Sequence, residues 1–314
     1  MTSIMSNEKL PTQHIRRNTR WFWVQRALGR LMQTILLLVA LTLFITFAMH
    51  LGVRGGIRAY AEAFIGTLQS LQQDIPMILT GEHAAVSEMW TLLPRSFGIL
   101  FAGLIIGVSG GLLLGGLAAV KRKQRISTWI QTGAVLGIST PSYFAAMLLI
   151  WLVVWIKQKT GVRILPVFGF GWDLHMLMPV LVLASRPLAN MTRLTFAALA
   201  ELFDADFVRT ARSKGLHSQA IFWRHVLRNA GVPLLTTAGV SFRFTLAMLP
   251  VVEYIFSWPG IGSGLLAAVQ AGEIVHVVVM VLPLAVLFVL VNVILEILYP
   301  LIDPRLRGSD VVFE

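Results

Sequence analysis

Cysteine is absent from the 314 residues, and charge is scarce, since Asp, Glu, Lys and Arg together make up only 13%. With no thiol there is no disulfide framework, no thiolate metal site and no cysteine nucleophile. Soluble globular proteins carry about 25% charged residues, so roughly half of the usual charge is missing. Hydrophobic residues reach 56% and the mean hydropathy is +0.75. These values exclude a soluble enzyme, and they exclude disorder, which needs low hydrophobicity and high net charge. The net charge of +11 is better explained in so apolar a chain by basic residues beside a membrane than by nucleic acid. No Gly-x-x-x-x-Gly-Lys-Ser/Thr phosphate loop occurs, His83 lacks the second histidine of a zinc-protease motif, and no nucleophile–base–acid set is recognisable. No segment alternates in and out for the roughly ten residues that a barrel strand needs. What is left is an all-α integral membrane protein.

A helix crosses the hydrocarbon core with about 20 mostly apolar residues. The sequence offers six such spans: Leu31–Met49, Phe97–Val120, Ile126–Ile156, Leu174–Ala200, Val232–Val252 and Ile274–Leu295. The third is long enough to tilt, kink or overhang. Around them the chain divides into an N-terminal extension (1–30), the first helix (31–49), an outer loop (50–94), a main membrane domain (95–302) and a tail (303–314). The outer loop carries Glu62, Asp74, Glu82 and Glu88 and is expected to hold a small helical element. Lys and Arg set the orientation. With the N-terminus inside, seventeen fall in inner segments and six in outer ones, so both termini are expected in the cytoplasm. The first span reads as a signal anchor that is retained, because no small-x-small cleavage site follows it.

Glycine recurs at Gly103, Gly107, Gly111 and Gly115, a smooth stripe on one helix face that lets another helix approach closely. Gly133 and Gly137 repeat the device. Between spans four and five, residues 201–231 form a basic, amphipathic segment. It includes Arg209, Thr210, Ala211, Arg212, Lys214, Gly215, Leu216 and His225. It is expected to be helical, broken once at Gly215, then helical again. Two readings fit: insertion into a groove of a partner protein, or an interfacial helix on anionic lipid. Beyond span five, Tyr254 to Gly262 is interrupted by Pro259, Gly260 and Gly262 and reads as a loop followed by a short helix.

The run from Phe207 to Leu216, continued by His225-Val226-Leu227-Arg228-Asn229-Ala230 and Pro233, resembles the coupling loop of ATP-binding cassette (ABC) importer permeases. It is most similar to the first permease of the pair in the dipeptide/oligopeptide/nickel branch. Val252 to Gly262, Tyr299 to Arg307 and Val86 to Leu100 resemble further family segments. The likeness spans about residues 80 to 307. Arg209-Thr210-Ala211 replaces the general Glu-Ala-Ala, and Glu273 stands where the family usually has Asp.

The resemblance implies a type I ABC importer transmembrane domain of six helices in a prokaryotic inner membrane, forming half of a translocation pathway. Peptides are the first substrate class; nickel chelates and oligosaccharides are the alternatives within the same machinery. It implies a homologous second permease, two ATP-binding subunits, an extracytoplasmic substrate-binding protein, surrounding lipid and no nucleic acid. ATP and Mg would be used by partner subunits, with no cofactor, metal or catalytic site on this chain. Gly215 would permit the turn, Ala211 close approach and Leu216 an apolar knob, while Arg209, Arg212 and Lys214 would fix register by charge. Glu253, Trp258, Pro259, Gly260 and Gly262 would form the periplasmic-side segment.

Arg186 and Arg243 fall near the midpoints of spans four and five, and Arg186, Asn190 and Arg193 share one helical face. Charge at that depth is costly and faces a cavity or a partner. The two readings are a pathway lining that attracts a substrate carboxylate, and pairing with the second permease. His276, Met280 and Glu273, near the outer end of span six, could serve a nickel path, but scattered ligands are a weak metal signal and a structural role is expected. A proton-driven carrier would want acids inside the membrane, and none lies within spans one to five; a membrane-bound enzyme would want clustered His or carboxylates.

Overall fold

The computed structural model describes residues 56–302, together with Gly29, Met32, Leu36, Ala40 and Phe44, which are helical. The remainder of the N-terminal extension and of the first expected span, the start of the outer loop and the tail 303–314 lie outside the described residues. Helix follows helix, and among the described residues there is no strand.

Helix α1 (Gly56–Thr80) ends in a turn at Gly81, whose φ of 80° suits a residue without Cβ. The His83 ring then accepts the Ala85 amide at 3.2 Å and caps α2 (Ala84–Val120). At 37 residues α2 is about 55 Å long, well beyond a hydrocarbon core of about 30 Å. The region read from sequence as a loop with a small helical element is therefore a 25-residue helix followed by the overhanging first turns of α2.

The expected third span is not one helix. It divides into α3 (Arg125–Ser139) and α4 (Ser142–Thr160). Pro141 has no N–H to continue the ladder and forces Thr140 to extended angles (φ −84°, ψ 119°). Only 11% of the apolar window of α4 is buried, which places this helix on the rim of the bundle. After α4 ends at left-handed Gly161, the chain returns through Asp173. The Asp173 carboxylate accepts the His175 amide at 3.0 Å and pairs with its ring at 2.7 Å, and these bonds hold it below the usual carboxylate range.

Next come α5 (Leu177–Asp204), α6 (Asp206–Ser213), α7 (Ser218–Ile221), a π turn (Phe222–Val226), α8 (Leu227–Ile255), α9 (Ile261–Ala271) and α10 (Ile274–Ile302). The second half of the expected inner loop is thus the start of the span-five helix, continuous from Gln219 to Ile255. Four stretches among the described residues are long and apolar enough to cross a membrane: Ala84–Val120, Ser142–Thr160, Gln219–Ile255 and Ile274–Ile302. Helix α5, with Arg186 and Arg193, is not one of the four.

The bundle closes on the α2–α5 pair. A methyl at Gly103 would lie 2.8 Å from Leu183 Cβ, at Gly107 2.6 Å from Pro187 Cβ, and at Gly115 2.5 Å from the Thr192 carbonyl; at Gly111 it would strike Met191. Leu183, Pro187, Met191 and Thr195 repeat the same four-residue spacing, so backbone meets side chain along one seam, as the stripe predicts. Gly137 meets Ala189 at 3.0 Å, but Gly133 faces open space, so the second stripe is half used. Leu100, Met178, Phe242, Leu249 and Trp258 form the central core; Ala119, Met191, Leu199, Val208 and Val226 form another at the end bearing Lys121, Arg122 and Lys123, the basic end.

Candidate coupling surface and transport site

At the basic end, α6 and α7 form the bent pair expected from the sequence. Gly215 takes φ 76°, its N–H donates to the Arg212 carbonyl at 2.9 Å, and the Leu216 N–H donates to the Ala211 carbonyl at 3.2 Å. This is the Schellman pattern, in which a glycine beyond the helix end returns two orphan carbonyls to partners. Arg209, Thr210, Arg212, Lys214 and Leu216 are exposed, with Leu216 at 40% and Trp223 at 68%. Arg209 reaches Asp206 at only 3.6 Å, so its charge is left to solvent, and the Thr210 hydroxyl donates back to the Asp206 carbonyl.

Ala211 faces the other way. It is 6% exposed and packs with Val208, Ile221 and Val226 in the chain's own inner core. The resemblance put it at a partner's surface; the structure puts its small side chain under the segment, where it lets α6 lie close to the bundle. His225 is half-buried within the π turn, and its carbonyl accepts from Asn229.

The two cations expected near the midplane, Arg186 and Arg243, are not brought together. Arg186 is half-buried, its guanidinium 4.8 Å over the Phe244 ring, and its Nε is buried without a hydrogen-bond partner among the described residues. It lines a small cavity with Ser142, Val182, Pro187, Phe244 and Met248, with room for about one water. Asn190 is half-buried and Arg193 exposed on the same helix. Arg243 turns instead to α10, where it donates to Asn292 Oδ1 at 2.7 Å.

At the opposite end, Glu253 is fully buried and accepts the Ser263 amide at 2.9 Å. Gly260 lies directly against that carboxylate, where any Cβ would collide, and a methyl at Gly262 would lie 2.5 Å from Pro250 Cα. Pro259 stands between Trp258 and Gly260 in the turn that leads into α9. Trp258 is fully buried and donates from its indole to the Arg95 carbonyl at 3.2 Å, while the Ile261 amide donates to Ser96 Oγ at 2.6 Å. The Tyr254–Gly262 segment is therefore pinned to α2. Ser263 and Ser96 were missed from the sequence. Ser263 stands three residues after Gly260 and accepts its N–H, a capping spacing that was there to be read. Ser96 carries no such local mark. His276 lies 3.1 Å from Glu273 and 3.9 Å from Glu88, joining the ends of α10 and α2, and Met280 is buried beneath.

Residues 111–308 match the family described as the binding-protein-dependent transport system inner membrane component. The chain belongs to that family. Several curated relatives agree. The dipeptide transport system permease protein DppB of Haemophilus influenzae is 30% identical over 266 residues, 78% of this chain and 79% of that protein. The di/tripeptide transport system permease protein DppB of Pseudomonas aeruginosa is 33% identical over 267 residues, again 78% and 79%. The glutathione transport system permease protein GsiC of Escherichia coli is 30% identical over 240 residues, 76% of each chain. A solved structure of the MetNI methionine ABC transporter, inward facing, matches with a TM-score of 0.50 at 18% identity, over 73% of this chain and 98% of that one, a likeness of fold. The protein is a permease subunit of an ABC importer, and its all-α bundle is the type I membrane domain.

Proposed function

We propose that this permease subunit is the first of the pair in a peptide importer of the inner membrane. It passes peptides at the expense of ATP hydrolysed, with Mg, on two partner subunits. The observation that carries the reading is the bent, exposed segment at the basic end, whose cations and apolar knobs Leu216 and Trp223 suit a groove on another protein. The names of the relatives, which specify dipeptide, di/tripeptide and glutathione transport, support the substrate class. Arg209, Arg212 and Lys214 set the register of docking by charge, and Gly215 makes the turn. The second permease completes the pathway, an extracytoplasmic binding protein delivers the peptide, and lipid covers the rim.

The basic end is cytoplasmic on this reading. Because the chain has no cysteine, the single variants Lys123→Cys and Ser213→Cys should react with an impermeant thiol reagent in inverted vesicles and not in intact cells. Reaction from the outer side would reverse the topology. The uptake test is a proteoliposome holding both permeases, both ATPases and the binding protein, offered an isotope-labelled pool of di- and tripeptides. ATP-dependent accumulation is expected; brisk hydrolysis with no accumulation would remove peptides as the substrate.

Arg186, which lines the small cavity, is the pathway residue on this reading, with Asn190 and Arg193 on the same helix, while Arg243 is held by Asn292. The Arg186 Nε, buried with no hydrogen-bond partner among the described residues, is a ready partner for a carboxylate. Arg186→Ala should slow a free-carboxylate peptide more than its C-terminally amidated analogue. Equal loss for both would make Arg186 a partner-pairing residue, and no loss for either would remove it from the pathway.

A further inference from the structure

Helix α5 and the docking helix α6 are joined by a single extended residue, Ala205 (φ −68°, ψ 149°). A one-residue joint of this kind is a hinge; Val208 and Ala211 seat the inner face of α6 in the core, and a push on its outer face bends the joint unless a second tie bridges it. The bridge comes from a distant part of the chain. Arg122, in the turn after α2, places Nη2 2.7 Å from Oδ1 of Asp204, the last residue of α5. Its guanidinium also lies 5.3 Å over the ring of Phe203. Phe203 stacks on Phe222 at 6.2 Å and 23°, and Phe222 meets Trp223 edge-on at 5.4 Å. Phe222 opens the π turn, where the widened backbone re-aims the side chains that follow α7.

One ion pair, one cation–ring contact and two ring–ring contacts thus connect the turn after α2, the end of α5 and the far half of the docking segment, around Ala205. We infer that Arg122, Asp204, Phe203 and Phe222 form a clasp that locks the α5–α6 joint. Motion received at the docking segment then moves α2 and α5 as one body, along the seam already fixed by the glycine stripe. Arg122 and Asp204 are positioning residues. The Asp204 side chain is 70% accessible and the Arg122 side chain 25%, and an ion pair with one member open to solvent contributes little to folding. The clasp therefore acts on transmission and leaves the stability of the subunit nearly unchanged. This inference rests on the reading of Phe207 to Asn229 as the surface that docks on the ATPase subunit.

The test is a charge-swap cycle in the complete reconstituted transporter: Arg122→Asp, Asp204→Arg, and both together. Three quantities are read: the thermal midpoint of the purified complex, retention of the ATPase subunit on the permease, and ATP hydrolysed per labelled peptide imported. Each single variant should keep its midpoint and its ATPase subunit while the ATP used per peptide rises about threefold or more; the double swap should recover at least about half of that loss. Unchanged coupling in both single variants, or a swap that rescues nothing in an assembled complex, overturns the clasp. A parent complex in which Leu216→Cys never cross-links to the ATPase subunit overturns the docking reading itself, and the clasp with it.

Discussion

Gly107→Leu should leave almost no folded protein in the membrane, whereas Gly116→Leu, on the same helix, should be tolerated. Both changes raise helix propensity by up to about 1 kcal/mol, so propensity alone predicts a gain for each. Contact decides the sign. At Gly107 the first carbon alone would lie 2.6 Å from Pro187 Cβ and 2.8 Å from the Ala184 carbonyl, and a helix backbone cannot yield as a flexible side chain can. At Gly116 nothing lies within 4 Å. Overpacking against backbone is expected to cost about 3 kcal/mol or more at Gly107, enough to outweigh the propensity term severalfold. Membrane abundance and the thermal midpoint of the detergent-purified subunit measure both variants. Equal behaviour of the pair would show that the α2–α5 seam is not where the bundle is held.

Gly215→Pro should produce an assembled but uncoupled transporter. Proline fixes φ near −65°, yet Gly215 has φ 76°, and its N–H holds the Arg212 carbonyl at 2.9 Å. The substitution destroys the turn without touching the inner core, because Gly215 is exposed and a Cβ there meets nothing within 4 Å. Uptake should fall at least about tenfold, a loss of about 1.4 kcal/mol or more in transmitted free energy. Gly215→Ala, strained only by its Cβ at positive φ, should fall between proline and the parent. Retention of the ATPase subunit and its hydrolysis rate in proteoliposomes separate loss of coupling from loss of assembly. Parent-level uptake by Gly215→Pro would remove this turn from the transmission path.

Features with a short-range signature were legible before the structure. Gly103 to Gly115 repeat at four, and that spacing alone places them on one face. Gly215 follows an amphipathic run and precedes another, so a turn there needs no tertiary information. Pro141 was equally visible, but the apolar run on both sides of it masked the break between α3 and α4. The side facing the bundle could not be read at Ala211, because a small residue serves close packing inside a chain as well as at a partner. Nor could the Arg122–Asp204 pair be read, since its members lie 82 residues apart and each looks like an ordinary basic or acidic residue at a helix end. The Ile261–Ser96 bond, which ties α9 to α2, joins residues 165 apart. Such long-range juxtapositions are set by packing of the whole bundle, and no local pattern encodes them.

The central claim is that this subunit receives the ATP-driven stroke through its bent basic segment. The most direct measurement is site-specific cross-linking of Leu216→Cys and Trp223→Cys, each the only cysteine in this chain, in the complete transporter. A short bifunctional reagent should join each to an ATP-binding subunit, with a yield that changes between the nucleotide-free and the vanadate-trapped states. Cross-links that never include an ATP-binding subunit, in either state, would contradict the account.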